Sequence, residues 1–165
     1  MPAITERSTK KTLLNTGSLN HGTLHCLDIV KTRRFYEEVL GLDVVQTSPI
    51  SLMIRKGTDH VYAVVEQPPG AQPPMTLMGH NGLEVGSLAE VEAAREQILQ
   101  VKDEWGIKKV LPLSAVHGDP SFYLVDFDDN WWEIVAPREG GYIANFKDRE
   151  NSDLTGRHDA ESWVE

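Results

Sequence analysis

The chain has 165 residues, of which 40% are hydrophobic, a size that suits one well-buried domain. Its formal net charge of −9 argues against a nucleic-acid partner, because no large Lys/Arg cluster could contact a phosphate backbone. No apolar run approaches the roughly 20 residues that cross a bilayer, so we expect a cytoplasmic protein that contacts no membrane. The single cysteine, Cys26, excludes an internal disulfide and a cysteine-based zinc site. Any bound metal must therefore have His and carboxylate ligands.

The first half of the chain has the pattern of one compact module. Residues 1–18 are a polar arm without periodicity, and Leu19–Leu27 then alternates as a strand does. Asp28 is a predicted helix N-cap, and apolar residues recur at helical spacing until Gly41. Three strand candidates follow, with turn signals between them: Leu42–Thr47, Ile50–Arg55 and His60–Glu66. We therefore predict that residues 19–68 form a βαβββ module.

The second half repeats this order after a linker rich in Pro and Gly. A strand candidate in Met75–Val85 precedes a capping box at Ser87 and Glu90, and the helical pattern continues to about Trp105, with Gly106 as its stop. Three more strand candidates follow: Lys109–Leu113, Ser121–Asp126 and Trp131–Ala136. Residues 75–137 are therefore predicted as a second βαβββ module, and residues 138–165 as a charged, Gly-rich tail.

The two modules can be aligned on their histidines. His21 lies seven residues before the predicted N-cap Asp28, and His80 lies seven residues before the predicted N-cap Ser87. Such self-similarity indicates a duplicated supersecondary unit. We predict an α+β fold in which paired βαβββ modules form a curved, cup-like mixed sheet around a metal cavity.

The stretch Phe122–Pro137 contains a carboxylate at an unusual place. Asp126–Asn130 is a run of turn formers, and the strand after it places Trp131, Glu133 and Val135 on one face. A charge flanked by Trp and Val on an inward face needs a partner. The ordinary alternative is a Glu at a strand edge that points to solvent or pairs with an Arg.

His21, His80 and Glu133 would all point into such a cup. Two imidazoles and one carboxylate on one face of a metal, with open positions for substrate and O2, form the ligand set of non-heme Fe(II) oxygenases. We therefore predict a divalent metal, with Fe(II) first and Mn(II), Zn(II) or Ni(II) as alternatives.

The sequence LNHGTLHCLDIVKTRRFYEEVLGLDVV resembles the opening module of the vicinal oxygen chelate superfamily, which includes glyoxalase I, extradiol dioxygenases, fosfomycin-resistance enzymes and bleomycin-binding proteins. DFDDNWWEIVAP resembles its closing hairpin, D-P-D-G-N-x-x-E, with Phe127 for the usual Pro and Asp129 for the usual Gly. The resemblance covers roughly residues 19–137, implies this fold and a homodimer, and leaves Glu133 in register.

Within the superfamily, the chain most resembles a single-domain type I extradiol dioxygenase. That resemblance assigns catalytic roles to His60, His117 and Tyr123, and it implies metal-dependent cleavage of a catechol-like aromatic by O2. His60 would exchange protons near neutral pH. His117 and Tyr123 would hydrogen-bond the deprotonated catechol oxygen.

Two alternatives stay open at this stage. In a glyoxalase I-like lyase or isomerase, Glu66 would be a fourth ligand and the counterpart of Glu133, on Zn(II) or Ni(II). In a metal-free binding protein for small molecules such as antibiotics, Trp131 and Trp132 would stack on a planar ligand.

Overall fold

The computed structural model of the protein describes residues 5–115, 118–153 and 155. The chain divides into two compact units, of which one is Ser18–Pro137 and the other combines the N-terminal arm with the residues after Pro137. No helix in the described part of the chain is both long and apolar enough to cross a membrane.

The first module has the predicted βαβββ order. Strand β1 is followed by helix α1, and three antiparallel hairpin-connected strands come next. The sheet order is β1-β4-β3-β2, with β1 parallel to β4. The bounds are β1 His21–Cys26, α1 Ile29–Glu38, β2 Asp43–Ser48, β3 Ser51–Arg55 and β4 Val61–Glu66.

The second module repeats the same topology, so the prediction of paired βαβββ modules is confirmed. A short 3-10 turn, Leu77–Gly79, precedes its first strand, and the sheet order is β5-β8-β7-β6. The strand predicted at 109–113 is shorter in the structure, because β6 pairs for only two residues. The bounds are β5 Asn81–Glu84, α2 Leu88–Trp105, β6 Lys109–Val110, β7 Ser121–Val125 and β8 Trp131–Val135.

Both long helices begin at the predicted caps. The Asp28 carboxylate accepts the backbone N–H groups of Val30 and Lys31, each at 3.0 Å, and the Ser87 hydroxyl accepts that of Glu90 at 3.3 Å. Helix α2 ends at Gly106, whose φ of 73° is a left-handed conformation that glycine adopts at little cost. These local interactions satisfy backbone groups that a helix end leaves without partners.

The hydrophobic core lies between the two modules and contains both helices. Phe35 of α1 packs on Trp105 of α2 with ring centroids 5.7 Å apart, and Tyr36 packs on Trp132 of β8 at 5.5 Å. Each sheet turns one face toward this shared core. The eight strands therefore form two four-stranded sheets rather than one continuous sheet. The opposite faces carry His21 in the first sheet and Glu133 in the second.

The hairpin tip between β7 and β8 is buried and polar. Asp126 accepts the backbone N–H groups of Asp128 and Asn130, each at 2.9 Å, as predicted for Asx residues in a turn. Asp129 adopts the left-handed conformation with a φ of 68°, at the position where the superfamily pattern has glycine. Its carboxylate is 2.7 Å from the Lys108 ammonium. The turn therefore keeps its geometry without the glycine.

The same tip joins the second module to the first. Asp128 is 1% exposed, and it accepts the Leu27 backbone N–H at 2.9 Å and the Thr32 hydroxyl at 2.6 Å. The Asn130 amide donates to the His25 carbonyl at 3.0 Å. Burial raises the pKa of Asp126 to about 7, against the hydrogen bond from Trp132 that lowers it. The run that the sequence predicts as a turn is thus also a buried connection between modules.

The second unit contains the N-terminal arm and the described part of the tail. Two short helices, α3 (Ala144–Lys147) and α4 (Arg149–Ser152), form its regular structure. Arg7 and Asp153 form an ion pair, and the Thr155 backbone N–H also donates to Asp153 at 3.0 Å. The Thr155 and Arg7 hydrogen bonds hold the pKa of Asp153 well below its usual range. This pair ties the arm to the tail.

Candidate metal site

The site is centred on His80 and Glu133. Glu133 lies on β8 and is only 5% exposed, while His80 directly precedes β5, the parallel neighbour of β8. The His80 Nε2 and Glu133 Oε2 atoms are 3.2 Å apart. Glu133 is thus buried on the sheet face opposite the core, and its neighbour there is a histidine.

The orientation of His80 is fixed by its own turn. The His80 Nδ1 atom is 2.6 Å from the Leu77 carbonyl oxygen, across the 3-10 turn. A carbonyl only accepts hydrogen bonds, so Nδ1 carries a proton, and Nε2 is the ring nitrogen that faces Glu133. An imidazole nitrogen and a carboxylate oxygen this close together are stable only when a proton or a cation lies between them or beside both.

The distance between these two atoms suits a shared metal ion. Nitrogen and oxygen ligands each about 2.1 Å from a metal, at angles of about 90–110°, are about 3.0–3.4 Å apart. The observed 3.2 Å between His80 Nε2 and Glu133 Oε2 lies inside this range. A carbonyl that binds the other ring nitrogen of a metal-binding histidine is also a common feature of metal centres. The two residues therefore fit two positions of a divalent metal.

Tyr123 is the third predicted site residue that reaches this place. It pairs directly with Glu133 across β7 and β8, and it is 7% exposed. Its ring centroid is 5.0 Å from that of His80, with the rings nearly perpendicular at 77°. A phenol group therefore lies against the candidate metal-binding imidazole.

His21 is not part of this group in the protomer, so the predicted three-ligand site within one chain needs correction. It lies in the first sheet, is exposed, and its Nδ1 atom is 3.0 Å from the Asn20 side-chain oxygen. Among the residues that the structure describes, no three His, Cys, Asp or Glu side chains are grouped closely enough to hold a metal. The two modules share a core through their helix-side faces, which leaves His21 and Glu133 on separate outer faces.

His60 also lies elsewhere, contrary to its predicted catalytic position. Its ring packs against Tyr62 with centroids 5.3 Å apart, and its Nδ1 atom is 3.3 Å from the Leu19 carbonyl oxygen. Tyr62 is on the core side of β4, because its ring covers Gly22 rather than the face that carries His21. The structure therefore does not bring His60 to His80 and Glu133. His117 lies outside the described residues.

Glu66 does not occupy the position that corresponds to Glu133, which the four-ligand alternative requires. The register places Thr23 beside Ala63 in the first sheet and Gly82 beside Glu133 in the second, each two residues after the aligned histidine. Ala63 is thus the counterpart of Glu133. Glu66 instead pairs with Cys26 at the core side, and its carboxylate accepts the Ile29 backbone N–H at 3.0 Å. It caps the start of α1.

The two tryptophans have structural contacts. Trp132 is 2% exposed, and its indole N–H donates to the Asp126 carboxylate at 2.9 Å. The Trp131 indole N–H donates to the Met75 carbonyl at 2.9 Å and so attaches the segment before His80 to β8. Trp132 therefore cannot stack on a ligand as the metal-free alternative requires.

A cavity of about 710 Å³ lies elsewhere, between the end of α1, the β3–β4 turn, α2 and β5. Its walls include the core-side residues Leu83, Ile98 and Ile134, and none of His80, Tyr123 and Glu133 lines it. Gly82, the strand partner of Glu133, also lines the cavity, so the cavity and the candidate metal site adjoin at this residue.

Comparisons with known proteins agree with this architecture. The model of the Glyoxalase/Bleomycin resistance protein/Dioxygenase superfamily matches residues 18–134. No curated protein matches the chain. The chain is similar to fosfomycin resistance protein FosX from Listeria monocytogenes, at 22% identity and a TM-score of 0.59, over 75% of this chain and 96% of that chain. A second structure of the Listeria protein, complexed with Mn(II) and sulfate, gives 18% identity and a TM-score of 0.60 over 79% and 98%. Lactoylglutathione lyase from Agrobacterium tumefaciens is 17% identical, with a TM-score of 0.54, over 78% of this chain and 100% of that chain. These identities show a shared fold, and the match of the family model shows that the chain belongs to the glyoxalase/bleomycin resistance/dioxygenase superfamily.

Proposed function

We propose that this protein is a divalent-metal enzyme in which His80 and Glu133 bind the metal together with His21 from a second copy of the chain. The observation that carries the proposal is the 3.2 Å distance between His80 Nε2 and the oxygen of a carboxylate that is only 5% exposed. A buried carboxylate is stable only when it is paired, and a metal ion would pair with both groups at once.

A second copy supplies the third ligand most simply. β1, which carries His21, is the outermost strand of the first sheet, and β5, which follows His80, is the outermost strand of the second. Outer strands present unpaired backbone groups that another chain can approach. In a twofold dimer, each β1 could lie beside the β5 of the other copy, which would form two equivalent sites. The homodimer implied by the family resemblance has this symmetry.

For the reaction, we propose O2-dependent cleavage of a catechol-like ring. A bound Fe(II) would supply adjacent open positions for two substrate oxygens and O2. Tyr123 lies against His80 and beside Glu133, where its phenol can donate a hydrogen bond to a deprotonated catechol oxygen. The Leu77 carbonyl keeps the Nδ1 proton on His80 and so keeps Nε2 free to bind. His117 stays predicted to hydrogen-bond the deprotonated catechol oxygen, and His60 has no role in this scheme.

The metal is tested first by its stoichiometry in matched variants. Protein is loaded anaerobically with Fe(II) and separately with Mn(II), the ion present in the Listeria FosX structure. We expect His80→Ala, Glu133→Ala and His21→Ala to lose the metal, and His60→Ala to retain it as the histidine control. Retention by both His80→Ala and Glu133→Ala would refute the site.

The second copy is tested by subunit mixing. A dimer of one His21→Ala chain and one Glu133→Ala chain has one complete site if ligands come from both copies, and none if they come from one chain. Random mixing should therefore restore about a quarter of the wild-type metal content. No restoration, with heterodimers verified by mass, would refute the shared site.

The reaction is tested by O2 uptake with a panel of catechols. Uptake together with the yellow ring-opened product is the expected result for the Fe(II) protein. Metal-loaded protein that consumes no O2 with any catechol would refute ring cleavage and leave the metal site in place.

A further inference from the structure

Gly82 occupies a distinctive position in the candidate site. It is the second residue of β5 and pairs directly with Glu133 on β8. It also lies two residues after His80, so alternation places His80, Gly82 and Glu133 on the same face. Paired positions on neighbouring strands are about 4.8 Å apart. A side chain at residue 82 would therefore stand next to the metal-binding carboxylate.

The fold itself does not require glycine here. Gly82 is not among the glycines with a positive φ, so another residue could adopt its backbone conformation. A Cβ atom built at Gly82 would meet no atom within 4 Å. Glycine inside a strand weakens the strand, and it often marks a place where a ligand or another backbone approaches closely.

Gly22 shows the opposite situation in the first module. A Cβ atom there would lie 2.4 Å from the Tyr62 ring, so packing explains that glycine. The residue of the first module that corresponds to Gly82 is Thr23, which also stands two residues after the aligned histidine. In the first module, which has no ligand carboxylate, this position therefore carries a side chain. In the second module, where Glu133 is present, the position carries none.

We propose that Gly82 determines substrate specificity by keeping the space beside His80 and Glu133 open to a planar, bidentate oxygen ligand. This inference rests on the proposed metal-dependent function. The ligand class, a catechol-like ring, is taken from the proposed function, and such a ring would bind the metal through two adjacent oxygens beside the strand that carries Gly82. A β-branched residue at position 82 would occupy that space beside the Glu133 side chain and would leave both ligand side chains in the sequence.

The experiment uses full-length dimer loaded with Mn(II), with 4-nitrocatechol as the probe and its absorbance change as the readout. Gly82→Ala and Gly82→Val are compared with Glu84→Val, a control with a β-branched residue on the same strand and face, two residues farther along. We expect Mn(II) affinity and melting temperature of the Gly82 variants to equal or exceed wild type. Binding of 4-nitrocatechol should be about tenfold weaker in Gly82→Val, intermediate in Gly82→Ala and unchanged in Glu84→Val.

Three results would overturn the inference in distinguishable ways. Equal 4-nitrocatechol affinity in wild type and Gly82→Val would refute the role of Gly82 and leave the metal site intact. Joint loss of dimer and Mn(II) in Gly82→Val would assign the open space to the strand of the second copy. Failure of wild-type protein to bind Mn(II) would refute the proposed function and the inference with it.

Discussion

Removing the Thr32 hydroxyl should destabilise the protein through the buried connection between modules. Thr32 is fully buried and donates its hydroxyl to the Asp128 carboxylate at 2.6 Å. Burial raises the pKa of Asp128, and this hydrogen bond opposes that rise. In Thr32→Val, a side chain of nearly the same shape replaces the donor, and one carboxylate oxygen loses its partner.

The expected magnitude follows from the type of hydrogen bond. A hydrogen bond to a charged group contributes about 1.5–3 kcal/mol, and the added methyl group returns part of this through apolar burial. We therefore expect Thr32→Val to lower the free energy of unfolding by about 2 kcal/mol. For a chain of this length, that corresponds to a fall in melting temperature of about 4–8 °C.

The assay is urea unfolding followed by tryptophan fluorescence at pH 8 and pH 5. The hydrogen bond that Thr32→Val removes favours ionised Asp128, so the loss of unfolding free energy in this variant should be larger at pH 8 than at pH 5. Thr32→Ser retains the hydroxyl and should show a smaller deficit that is the same at both pH values. A Thr32→Val protein as stable as wild type, or a deficit independent of pH, would refute the role assigned to this hydrogen bond.

Two further predictions concern the same hairpin. The pKa of Asp126 is raised to about 7 in the folded protein, so the contribution of Asp126 to stability is fully present below about pH 4 and is lost as the pH rises to about 7. We therefore expect urea unfolding to show about 2–3 kcal/mol less stability at pH 8 than at pH 5. A free energy of unfolding that does not change between pH 5 and pH 8 would contradict the burial argument. Trp132→Phe should extend the loss of stability to higher pH, because it removes an N–H group that favours the ionised form of Asp126. At Asp129, which has the left-handed conformation, Asp129→Gly should leave the melting temperature within about 2 °C of wild type, since relief of strain offsets the lost Lys108 ion pair. Asp129→Val should instead lower the free energy of unfolding by about 1–2 kcal/mol. Equal stability of the two variants would exclude a conformational role for this residue.

Local signals in the sequence predict most of the secondary structure. Asp28 and Ser87 are the caps that begin the two long helices, and Gly106 ends the second one in a left-handed conformation. The spacing of His21 and His80 from these caps predicts the duplicated module. All of these signals act over a few residues, so they are readable without knowledge of the tertiary contacts.

Errors in the predicted site come from register and from the relation between sheets. Glu66 ends its strand, which suggests a counterpart of Glu133, but the pairing of β1 with β4 gives that place to Ala63. Glu66 lies three residues farther, on the other face, and caps α1. Alternation also gives no information on whether two outer faces meet in one chain. That depends on the shared core of Phe35, Tyr36 and the two sheets, which is non-local.

The duplication explains why one protomer would hold only part of the proposed metal site. Each module carries the aligned histidine, but only the second has a carboxylate beside it, since Ala63 stands where Glu133 would be. A three-ligand site therefore needs the outer face of one module to meet the outer face of the other. Within one chain the helix-side faces meet instead, through the core that includes the Phe35–Trp105 contact. Two copies related by a twofold axis satisfy both requirements, because each first module can then face the second module of the other chain. One metal per protomer, present only in the dimer, is the stoichiometry that this arrangement implies.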